Sequence, residues 1–382
     1  MRNTSIGLGR AGRIIRCAAM AVVMFASFTW SGMQAAQADP FLDEVVGFTA
    51  QVLFLEQKVP ALVMGAVRHG EISVHGFGER AGKGSTAPDG DAVLNIGSMT
   101  KTFTGGVLAH LAASNTVQLT QPLSTSWPEL ATNAKAGVGH IRLIDLATQS
   151  GGLPREWPQE PGPDPTAWLQ TMPLLFTPGT SVLYSNFGFN LLALGLSKAA
   201  NTPFPTLLKR HITDPLKMQD TGYVLSEAQK QRLMQGHGID GKPVPAVPVD
   251  AFHAGGGGLY STPNDLLRWV QWHLDHFGEN GAEARRLDHA LYLIRDGLET
   301  VSGMDESGHM DAIALAWVAM MPEGDRPFIL QKAGGQQGFF SYLAFAPTRG
   351  VAVFVAINTM DFAAAMAMAK VANDLIATLA PR

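Results

Sequence analysis

The sequence predicts an α/β (α+β) fold in which an antiparallel sheet is built from both ends of the chain and is flanked by helices. Two observations lead to this prediction. Short apolar runs of strand character cluster near both ends of the 382-residue chain, and short turns join them, which requires antiparallel neighbours. Between them, helical patterns alternate with loops rich in proline and glycine, which indicates an inserted, mainly helical domain. We expect a sheet body over about residues 39–98 and 300–382 and a helical insert over about 99–299.

Residues 1–38 have the composition of a secretory signal peptide. Four arginines and no acidic residue precede an apolar run over residues 17–30, which is too short to span a bilayer comfortably, and Ala36-Gln37-Ala38 is a small-x-small cleavage site. We therefore expect cleavage after Ala38, a periplasmic location and a single catalytic domain over residues 39–382. An uncleaved membrane anchor is the alternative interpretation.

The composition argues against several classes of function. The only cysteine, Cys17, leaves with the signal, so the exported chain has no thiol and no disulfide. The net charge of −4, which becomes more negative once the four arginines are removed, argues against nucleic acid as a partner. No later stretch has 18 uninterrupted apolar residues, so at most peripheral membrane association is expected. His273 and His276 share a helix face without a matching cysteine or carboxylate cluster, so we expect no metal and no other cofactor.

The first folded element is a helix that begins at Asp39-Pro40, an N-cap followed by proline at the first helical position. Apolar residues then recur at helical spacing up to Leu55, which indicates a packed helix, with a membrane-surface helix as the alternative. Residues 61–67 and 72–78 read as two strands joined at His69-Gly70, a hairpin signal.

The middle of the chain is predicted to be mainly helical, over residues 99–113, 141–148, 190–200 and 205–211, with a loop over 158–165. Gly105 and Gly106 weaken the first of these helices by about 1 kcal/mol each relative to alanine, which predicts that another element packs closely there. Ser261-Thr262-Pro263 starts a further helix. The tetraglycine before it has no Walker lysine, so it predicts tight approach to another backbone and not phosphate binding.

The end of the chain is predicted to form strands over residues 312–320, 328–332, 339–346 and 351–357, followed by a closing helix over 362–379. Short turns at Glu323-Gly324, Gly334-Gly335 and residues 348–350 separate the strands.

Ser98-Met99-Thr100-Lys101 is the only Ser-x-x-Lys in the chain. A serine hydroxyl needs a base beside it to act as a nucleophile at neutral pH, and positions three apart on a helix lie on one face. The spacing therefore brings an amine within reach of a hydroxyl. It also puts Ser98 at the helix N-terminus, where free N–H groups can hold a developing negative charge. A chance occurrence is the alternative.

Two further groups provide proton transfer and positive charge. Tyr184-Ser185-Asn186 is the only Tyr-x-Asn in the chain and precedes an apolar helical stretch. A phenol has a pKa near 10 and is a poor base unless cations lower that pKa, which two lysines facing it would do. Lys332 heads Lys332-Ala333-Gly334-Gly335 at the end of a predicted strand, where small residues let a substrate lie along the strand edge.

This ordered set of motifs resembles the serine β-lactamase and penicillin-binding protein superfamily. A Tyr-x-Asn in second place is typical of the class C branch. Residues 141–154 and 176–180 extend the likeness, and residues 256–269 and 331–347 are most like the AmpH-type D-alanyl-D-alanine carboxypeptidase/endopeptidases. The resemblance covers nearly all of the chain after the signal and implies a β-lactamase/transpeptidase-like fold.

The resemblance implies the catalytic roles. Ser98 would attack the carbonyl carbon of a D-Ala-D-Ala-type peptide and form an acyl-enzyme. Lys101 and Tyr184 would share the proton transfers, as base for Ser98 and acid for the leaving amine. The backbone N–H groups of Ser98 and Gly335 would form the oxyanion hole, in which losing one donor typically costs about 100- to 1,000-fold in rate.

The resemblance also implies substrate-binding roles. Asn186 would hydrogen-bond the substrate amide. Lys332 would attract the substrate carboxylate and keep the pKa of Tyr184 low. Asn358, at the end of the last strand, is either a contact to that carboxylate or a strand-end cap.

Two positions depart from the pattern of the superfamily. Ala333 stands where threonine is usual, so a hydroxyl that normally meets the substrate carboxylate is missing; a hydrogen bond to a charged group contributes about 1.5–3 kcal/mol. Arg155-Glu156 lies where class C enzymes commonly have a substrate-contacting glutamine. An acid there would change amide recognition and Arg155 would hold a carboxylate, or the two side chains form a surface salt bridge.

The leading expectation is a periplasmic serine DD-carboxypeptidase/endopeptidase whose partners are peptidoglycan peptides and β-lactams. A class C-type β-lactamase, which needs fast attack by water on the acyl-enzyme, and a serine carboxylesterase, favoured by Ala333, are alternatives of the same fold. A non-enzymatic binder of wall peptides is disfavoured because the serine, both lysines and the tyrosine are present. The lack of a Gly-x-Ser-x-Gly sequence argues against a Ser-His-Asp hydrolase.

Overall fold

The computed structural model describes residues 39–131, 137–157 and 164–380. The predicted signal peptide lies outside these residues, as does most of the predicted 158–165 loop. Within the described residues the helices are α1 Pro40–Gln57, α2 Thr100–Ala113, α3 Leu123–Ser126, α4 Leu143–Ala147, α5 Thr166–Thr171, α6 Asn186–Ala199, α7 Phe204–Leu208, α8 Glu227–Gln231, α9 Pro263–Leu274, α10 Ala282–His289 and α11 Phe362–Leu379. The strands are β1 Ala61–Arg68, β2 Glu71–Gly78, β3 Leu94–Asn95, β4 Val182–Leu183, β5 Gly236–His237, β6 Pro243–Val244, β7 Tyr260–Ser261, β8 Leu293–Ile294, β9 Val301–Ser302, β10 Ala312–Ile313, β11 Val318–Met320, β12 Ile329–Gln336, β13 Phe339–Ala346 and β14 Val351–Ile357.

The main sheet has eight strands in the order β2-β1-β14-β13-β12-β11-β10-β8, and its neighbouring strands are antiparallel. The two ends of the chain meet inside the sheet, at its second and third strands, where Leu62 of β1 pairs with Ile357 of β14. The predicted sheet from both chain ends, with helical segments inserted between them, is therefore confirmed.

The sheet is covered on both faces. Leu42 and Leu53 of α1 and Met368 of α11 are buried in one apolar cluster with sheet residues such as Met64. Phe103 of α2 belongs to the other cluster, as do Trp269 and further residues of α9. Because alternate residues of a strand point to opposite faces, strands β1, β13 and β14, which are buried at all or all but one of their positions, supply both clusters.

Helix α11 is long and apolar enough to cross a membrane by length and composition. Its buried residues include Met368, Ala372 and Ile376, and these pack on the sheet. A helix that covers a sheet in this way needs an apolar face for the core, which accounts for its composition.

The predicted turn at Gly334-Gly335 is wrong. Strand β12 continues through both glycines to Gln336, and the turn lies at Gln337 and Gly338, whose φ angles are +51° and +85°. The glycines serve close packing: a Cβ on Gly334 would lie 2.0 Å from the carbonyl oxygen of Ile96. Small residues at this point therefore let β12 touch the segment that leads to Ser98.

Several other boundaries differ from expectation. The predicted strand over 312–320 is two short strands, β10 and β11, which pair with each other around a turn in which Ala316 has φ +71°. Helix α6 begins at Asn186 and not at 190, because the Ser185 side chain caps it by accepting from the Gly188 N–H. Helix α7 ends at Leu208 and is followed by a π-type turn over Lys209–Thr213.

Two predictions about glycines are confirmed. A Cβ on Gly105 would lie 2.6 Å from the Leu315 carbonyl oxygen, and one on Gly106 would lie 3.0 Å from Ile212 and Trp269. In the tetraglycine, a Cβ on Gly255 would lie 2.1 Å from the carbonyl oxygen of Phe189. The missing side chains therefore allow α2 and the tetraglycine to pack closely against their neighbours.

Candidate active site

Ser98 lies in a 3₁₀ turn, Gly97–Met99, that leads directly into α2. Gly97 has φ +52°, in the left-handed region, and a Cβ there would lie 2.6 Å from the Gly335 nitrogen. Glycine is favoured at such a position because it has no Cβ. The turn therefore presents Ser98 at the N-terminus of α2 and seats it against strand β12, next to the backbone of Gly335.

Lys101, in the first turn of α2, is fully buried. Its Nζ lies 3.2 Å from Ser98 Oγ, and 2.5 Å from both Asn186 Oδ1 and the carbonyl oxygen of Gly256. The predicted proximity of the Ser98 hydroxyl and the Lys101 amine is confirmed, and the carbonyl of Gly256 is an additional acceptor.

The environment of Lys101 disfavours its charged form. Removal from water, together with the positive charge of Lys332, lowers the pKa of Lys101 well below its usual value, against the opposing effect of Glu156. A neutral amine has two N–H groups and one lone pair. With the N–H groups donated to Asn186 and Gly256, the lone pair faces the Ser98 hydroxyl and can accept its proton.

Tyr184 contacts the same hydroxyl from the other side. Its Oη donates a 2.5 Å hydrogen bond to Ser98 Oγ. Three basic side chains surround its ring: the Nζ atoms of Lys101 and Lys332 both lie 4.9 Å from the ring centroid, and Arg155 Cζ lies 4.7 Å from it. Such contacts are electrostatically favourable to the ring face.

The expectation that the lysines keep the pKa of Tyr184 low is wrong. Burial raises the pKa of Tyr184 to about 12, because it outweighs the lowering effects of the hydrogen bond to Ser98 and the charge of Arg155. The phenol therefore stays protonated at neutral pH. It is suited to donate a proton, whereas Lys101 is suited to accept one.

The turn before α6 holds Tyr184 and Asn186 in place. Ser185 accepts from the Gly188 N–H at 2.8 Å and donates to the Pro154 carbonyl at 2.6 Å, and the Ser185 N–H donates to Gln149 Oε1 at 2.7 Å. Asn186, whose Oδ1 faces Lys101, donates from Nδ2 to Glu156 Oε1 at 2.6 Å. These bonds tie the Tyr-x-Asn segment to the residues that follow α4.

A cleft of about 540 Å³ opens beside Ser98 and is lined by Tyr184, Lys332 and residues of β12, β13 and α11. Lys332 is 5% exposed, and its Nζ has no hydrogen-bond partner among the residues that the structure describes. Removal from water, with a smaller contribution from Arg155, lowers the pKa of Lys332 to about 8, against the charge of Glu306. A charged group in this state can bind an anion that enters the cleft.

A larger cavity, of about 670 Å³, lies near Tyr223 and Val249. The described residues that line it include no serine, so it offers no counterpart of the pair formed by Ser98 and Lys101. The chemistry therefore points to the 540 Å³ cleft and not to the larger cavity.

The family model described as Beta-lactamase matches residues 34–378. The chain belongs to the β-lactamase family. This membership makes the protein a serine hydrolase, and the predicted family resemblance and fold class are confirmed. Ser98, which is hydrogen-bonded to Lys101 and Tyr184, is the candidate nucleophile.

Relatives within the β-lactamase family support a more specific grouping. The D-alanyl-D-alanine-carboxypeptidase/endopeptidase AmpH of Escherichia coli K12 is 33% identical over 353 residues, which cover 89% of this chain and 90% of that protein. The crystal structure of a β-lactamase/D-alanine carboxypeptidase from Yersinia pestis, in complex with citrate, matches with a TM-score of 0.78 and 31% identity over 89% of this chain and 98% of that one. A class C β-lactamase has the same fold, with a TM-score of 0.78 at 19% identity over 90% of this chain and 99% of that one.

Asn358 is placed differently from the other predicted site residues of this β-lactamase family member. It is fully buried, its Oδ1 accepts from the Ala61 N–H at 2.7 Å, and its Nδ2 donates to the Gln235 carbonyl at 2.8 Å. Both ends of its side chain are therefore bonded to backbone. This placement favours the strand-end cap over contact with a substrate carboxylate.

Three residues with effects on the site were not among the predicted site residues. Gly256 supplies a carbonyl to Lys101, Arg155 stacks on Tyr184, and the exposed Glu306 faces Lys332 electrostatically. The sequence predicts tight backbone approach for the tetraglycine, and for Arg155 either a contact with a carboxylate or a salt bridge with Glu156. No spacing or motif pointed to Glu306, which reaches the cleft through the tertiary fold alone.

A second group of titratable side chains lies away from the cleft, in and near α9 and α10. His273 lies beside His289, with Nδ1 and Nε2 2.8 Å apart, and beside Asp288, which accepts from Trp317 Nε1 at 2.8 Å. The prediction that His273 and His276 share a helix face without a carboxylate nearby is wrong, because α9 ends at Leu274 and Asp288 lies beside His273. Burial lowers the pKa of His289 to about 3, lowers that of His273 and raises that of Asp288, so burial favours their neutral forms. One ligand atom from each of the three residues lies within 4.8 Å of the others.

Proposed function

We propose that the protein is an exported, periplasmic serine DD-carboxypeptidase/endopeptidase that acts on D-Ala-containing peptidoglycan peptides through an acyl-enzyme on Ser98. One observation carries the proposal: Ser98 Oγ lies between Tyr184 Oη at 2.5 Å and Lys101 Nζ at 3.2 Å. The name of the E. coli relative, a D-alanyl-D-alanine-carboxypeptidase/endopeptidase, supports this substrate class. β-Lactams would acylate the same serine.

In acylation, neutral Lys101 takes the proton of Ser98 while Oγ bonds to the substrate carbonyl carbon. The negative charge on the carbonyl oxygen is held by the N–H groups of Ser98 and Gly335. The carbon–nitrogen bond then breaks, and the leaving amine receives a proton from the pair formed by Lys101 and Tyr184. In deacylation the pair takes a proton from water, which attacks the ester, and returns a proton to Ser98 Oγ.

Substrate binding in this proposal depends on Lys332 and Asn186. The ammonium of Lys332 attracts a C-terminal carboxylate, and the second N–H of Asn186 Nδ2 donates to a substrate carbonyl. Ala333 provides no hydroxyl for the carboxylate, so the terminal D-Ala is held less firmly. Cleavage within a cross-link depends less on that carboxylate, and endopeptidase activity is therefore the stronger of the two.

A carboxylesterase is the second candidate, favoured by the lining of the cleft. Besides Ala333, the cleft is lined by apolar side chains from three segments of the chain: Met304, Phe340, Met360, Phe362 and Met366. Such a surface suits the acyl or alkoxy group of an ester that has no charged end.

The decisive experiment treats purified protein with a fluorescent penicillin, muropeptides, a chromogenic cephalosporin and a short-chain ester, and locates the acylated residue by peptide mass spectrometry. We expect a stable adduct on Ser98, release of D-Ala or cleavage of cross-links, and weak cephalosporin turnover. Ser98→Ala abolishes all of these. Ser114→Ala, which removes an exposed hydroxyl at the other end of α2, is the matched control and leaves them unchanged.

The alternatives predict other outcomes. Rapid cephalosporin hydrolysis with inert muropeptides would identify a β-lactamase, and ester hydrolysis with inert muropeptides would identify an esterase. An adduct on any other residue would exclude the mechanism.

Export is tested separately. Cell fractionation followed by N-terminal sequencing is expected to find the protein in the periplasm with Asp39 as its first residue. A chain that retains residues 1–38 in the membrane fraction would instead indicate an uncleaved anchor.

A further inference from the structure

Among the described residues, Glu156 is the acidic side chain that is hydrogen-bonded to the network around Ser98. Its Oε1 accepts a 2.6 Å hydrogen bond from Asn186 Nδ2, while Asn186 Oδ1 accepts a 2.5 Å hydrogen bond from Lys101 Nζ. The neighbouring Arg155 is a weaker partner, because its Nε lies 3.8 Å from the carboxylate and both side chains are more than half exposed. The contact with Asn186 is therefore the one with chemical consequences.

The orientation of the Asn186 carboxamide decides whether Lys101 can act as a base. A carboxamide turned by 180° exchanges its oxygen and its amino group at nearly the same positions. The turned oxygen of Asn186 would face the carboxylate of Glu156, acceptor against acceptor. The turned amino group would face Lys101 and donate to the lone pair of the neutral amine, which would then be unable to take the proton of Ser98.

We propose that Glu156 is a positioning residue for the reaction at Ser98, which keeps the Asn186 oxygen on Lys101 and so keeps the Lys101 lone pair free. The inference rests on the proposed function, since it needs Ser98 as nucleophile and Lys101 as base. Glu156 lies on the exposed side of the network, away from Ser98, so it acts on the reaction through Asn186.

The charge of Glu156 acts on Lys101 in a second way. The groups that face Lys101 are Lys332 on β12, Arg155 and Glu156 on the segment that follows α4, and Tyr184 just before α6. Burial, Lys332 and Arg155 lower the pKa of Lys101, whereas Glu156 raises it. Without the charge of Glu156 the pKa of Lys101 is lower still, so the neutral base is present at lower pH.

Two substitutions separate the hydrogen bond from the charge. In Glu156→Gln the amide oxygen still accepts from Asn186, but the charge is gone. In Glu156→Ala both are lost. The rate constant for acylation of Ser98 by a fluorescent penicillin is measured for each variant across the pH range in which the protein stays folded, and thermal unfolding checks that the fold is intact.

We expect Glu156→Gln to keep the plateau rate and to shift the acid limb of the pH profile to lower pH. Glu156→Ala shows the same shift and a plateau about 10- to 100-fold lower, the cost of a misoriented catalytic group. Glu227→Gln removes an exposed carboxylate in α8, outside the cleft, and changes neither quantity.

A wild-type plateau in Glu156→Ala would overturn the positioning role, whereas an unshifted acid limb in Glu156→Gln would contradict only the effect of the charge on Lys101. If Glu156→Ala does not fold, Glu156→Met, which fills more of the same space and likewise has no acceptor oxygen, is measured in its place. Failure of the proposed function looks different, because the wild-type protein itself would then show no adduct on Ser98.

Discussion

The helical side and the sheet side of the cleft treat their polar groups in opposite ways. On the helical side the head groups of Lys101, Tyr184 and Asn186 are all hydrogen-bonded within the protein. On the sheet side Lys332 is buried, and its Nζ has no such bond in the described part of the chain. Bonds that are already formed need no reorganisation during reaction, whereas a buried charge without a partner is stabilised when an anion arrives. The helical side is thus arranged for chemistry and the sheet side for binding.

The largest effect is expected from removing the amine on the helical side. Lys101→Met keeps most of the side-chain volume but removes the base, so acylation by penicillin slows about 100- to 10,000-fold, the usual contribution of general base catalysis. Stopped-flow or gel-based labelling measures the rate. Lys198→Met, which replaces an exposed lysine in α6, is the control, and equal loss in both variants would contradict the role of Lys101.

The contact between β12 and the turn that carries Ser98, which joins the two sides, is tested by Gly334→Ala. The new Cβ would lie 2.0 Å from the Ile96 carbonyl oxygen, so β12 and the Ser98 turn must move apart. A displacement of about 1 Å at a reacting group costs about 100-fold in rate, and we expect a loss of that order for every substrate, together with a lower melting temperature. Gly324→Ala is the control, since a Cβ there meets nothing within 4 Å; its φ of +56° still makes some strain unavoidable.

Wild-type rates in Gly334→Ala would contradict the importance of this close contact between β12 and the Ser98 turn. A rate loss confined to substrates with a carboxylate would also contradict this account, because the displaced Ser98 serves all substrates.

On the sheet side, the pKa of Lys332 near 8 predicts a pH effect confined to carboxylate substrates. Lys332 is charged below that pH and neutral above it, so kcat/KM for a peptide ending in D-Ala falls as pH rises through about 8. An uncharged ester, measured with the same enzyme, lacks this limb. Lys332→Met lowers kcat/KM for the peptide about 10- to 100-fold, the range for a hydrogen bond to a charged group.

The same alkaline limb in both substrates would contradict the assignment of the carboxylate to Lys332. It would point instead to a group that serves the reaction itself.

The smallest effect is expected from Ala333→Thr, which supplies the hydroxyl that the superfamily usually has. A new hydrogen bond to the substrate carboxylate of about 1.5 kcal/mol would raise carboxypeptidase kcat/KM about tenfold, with ester hydrolysis unchanged as the internal control. If release of D-Ala does not increase, another residue, with Arg155 the first to examine, supplies the contact.

The sequence predicted best the elements whose apolar runs end at clear turns. Strands β13 and β14 and helix α11 have the predicted bounds, because the length of each apolar run, together with the turn residues that flank it, distinguishes a strand from a helix and marks its ends. The pair Gly334-Gly335 was misread as a turn because glycine serves both turns and close packing. Only the tertiary fold shows that Ile96 lies against it.

The site was predictable where chemistry depends on spacing along the chain or on a motif. Ser98 and Lys101 are one helical turn apart, and Tyr184 was found through its motif. The pKa of Tyr184 was predicted in the wrong direction because burial, which the sequence does not reveal, outweighs the nearby cations. Glu306 and the carbonyl of Gly256 could not be predicted either, because no local sequence pattern marks them as part of the site.

The pairing of the chain ends has a consequence for how the protein is made. The Asn358 side chain bonds to the backbone of Ala61, 297 positions away in the chain, and β1 lies between β2 and β14 in the sheet. Under the export proposed above, the β1–β2 hairpin is the first part of the sheet to leave the export channel, and it has no further strand to join until nearly the whole polypeptide has crossed the membrane. Until then it exposes unpaired edges that favour aggregation. Under the same proposal, the nascent chain is expected to depend on holding factors on the far side of the membrane, and folding to begin only when translocation is almost complete.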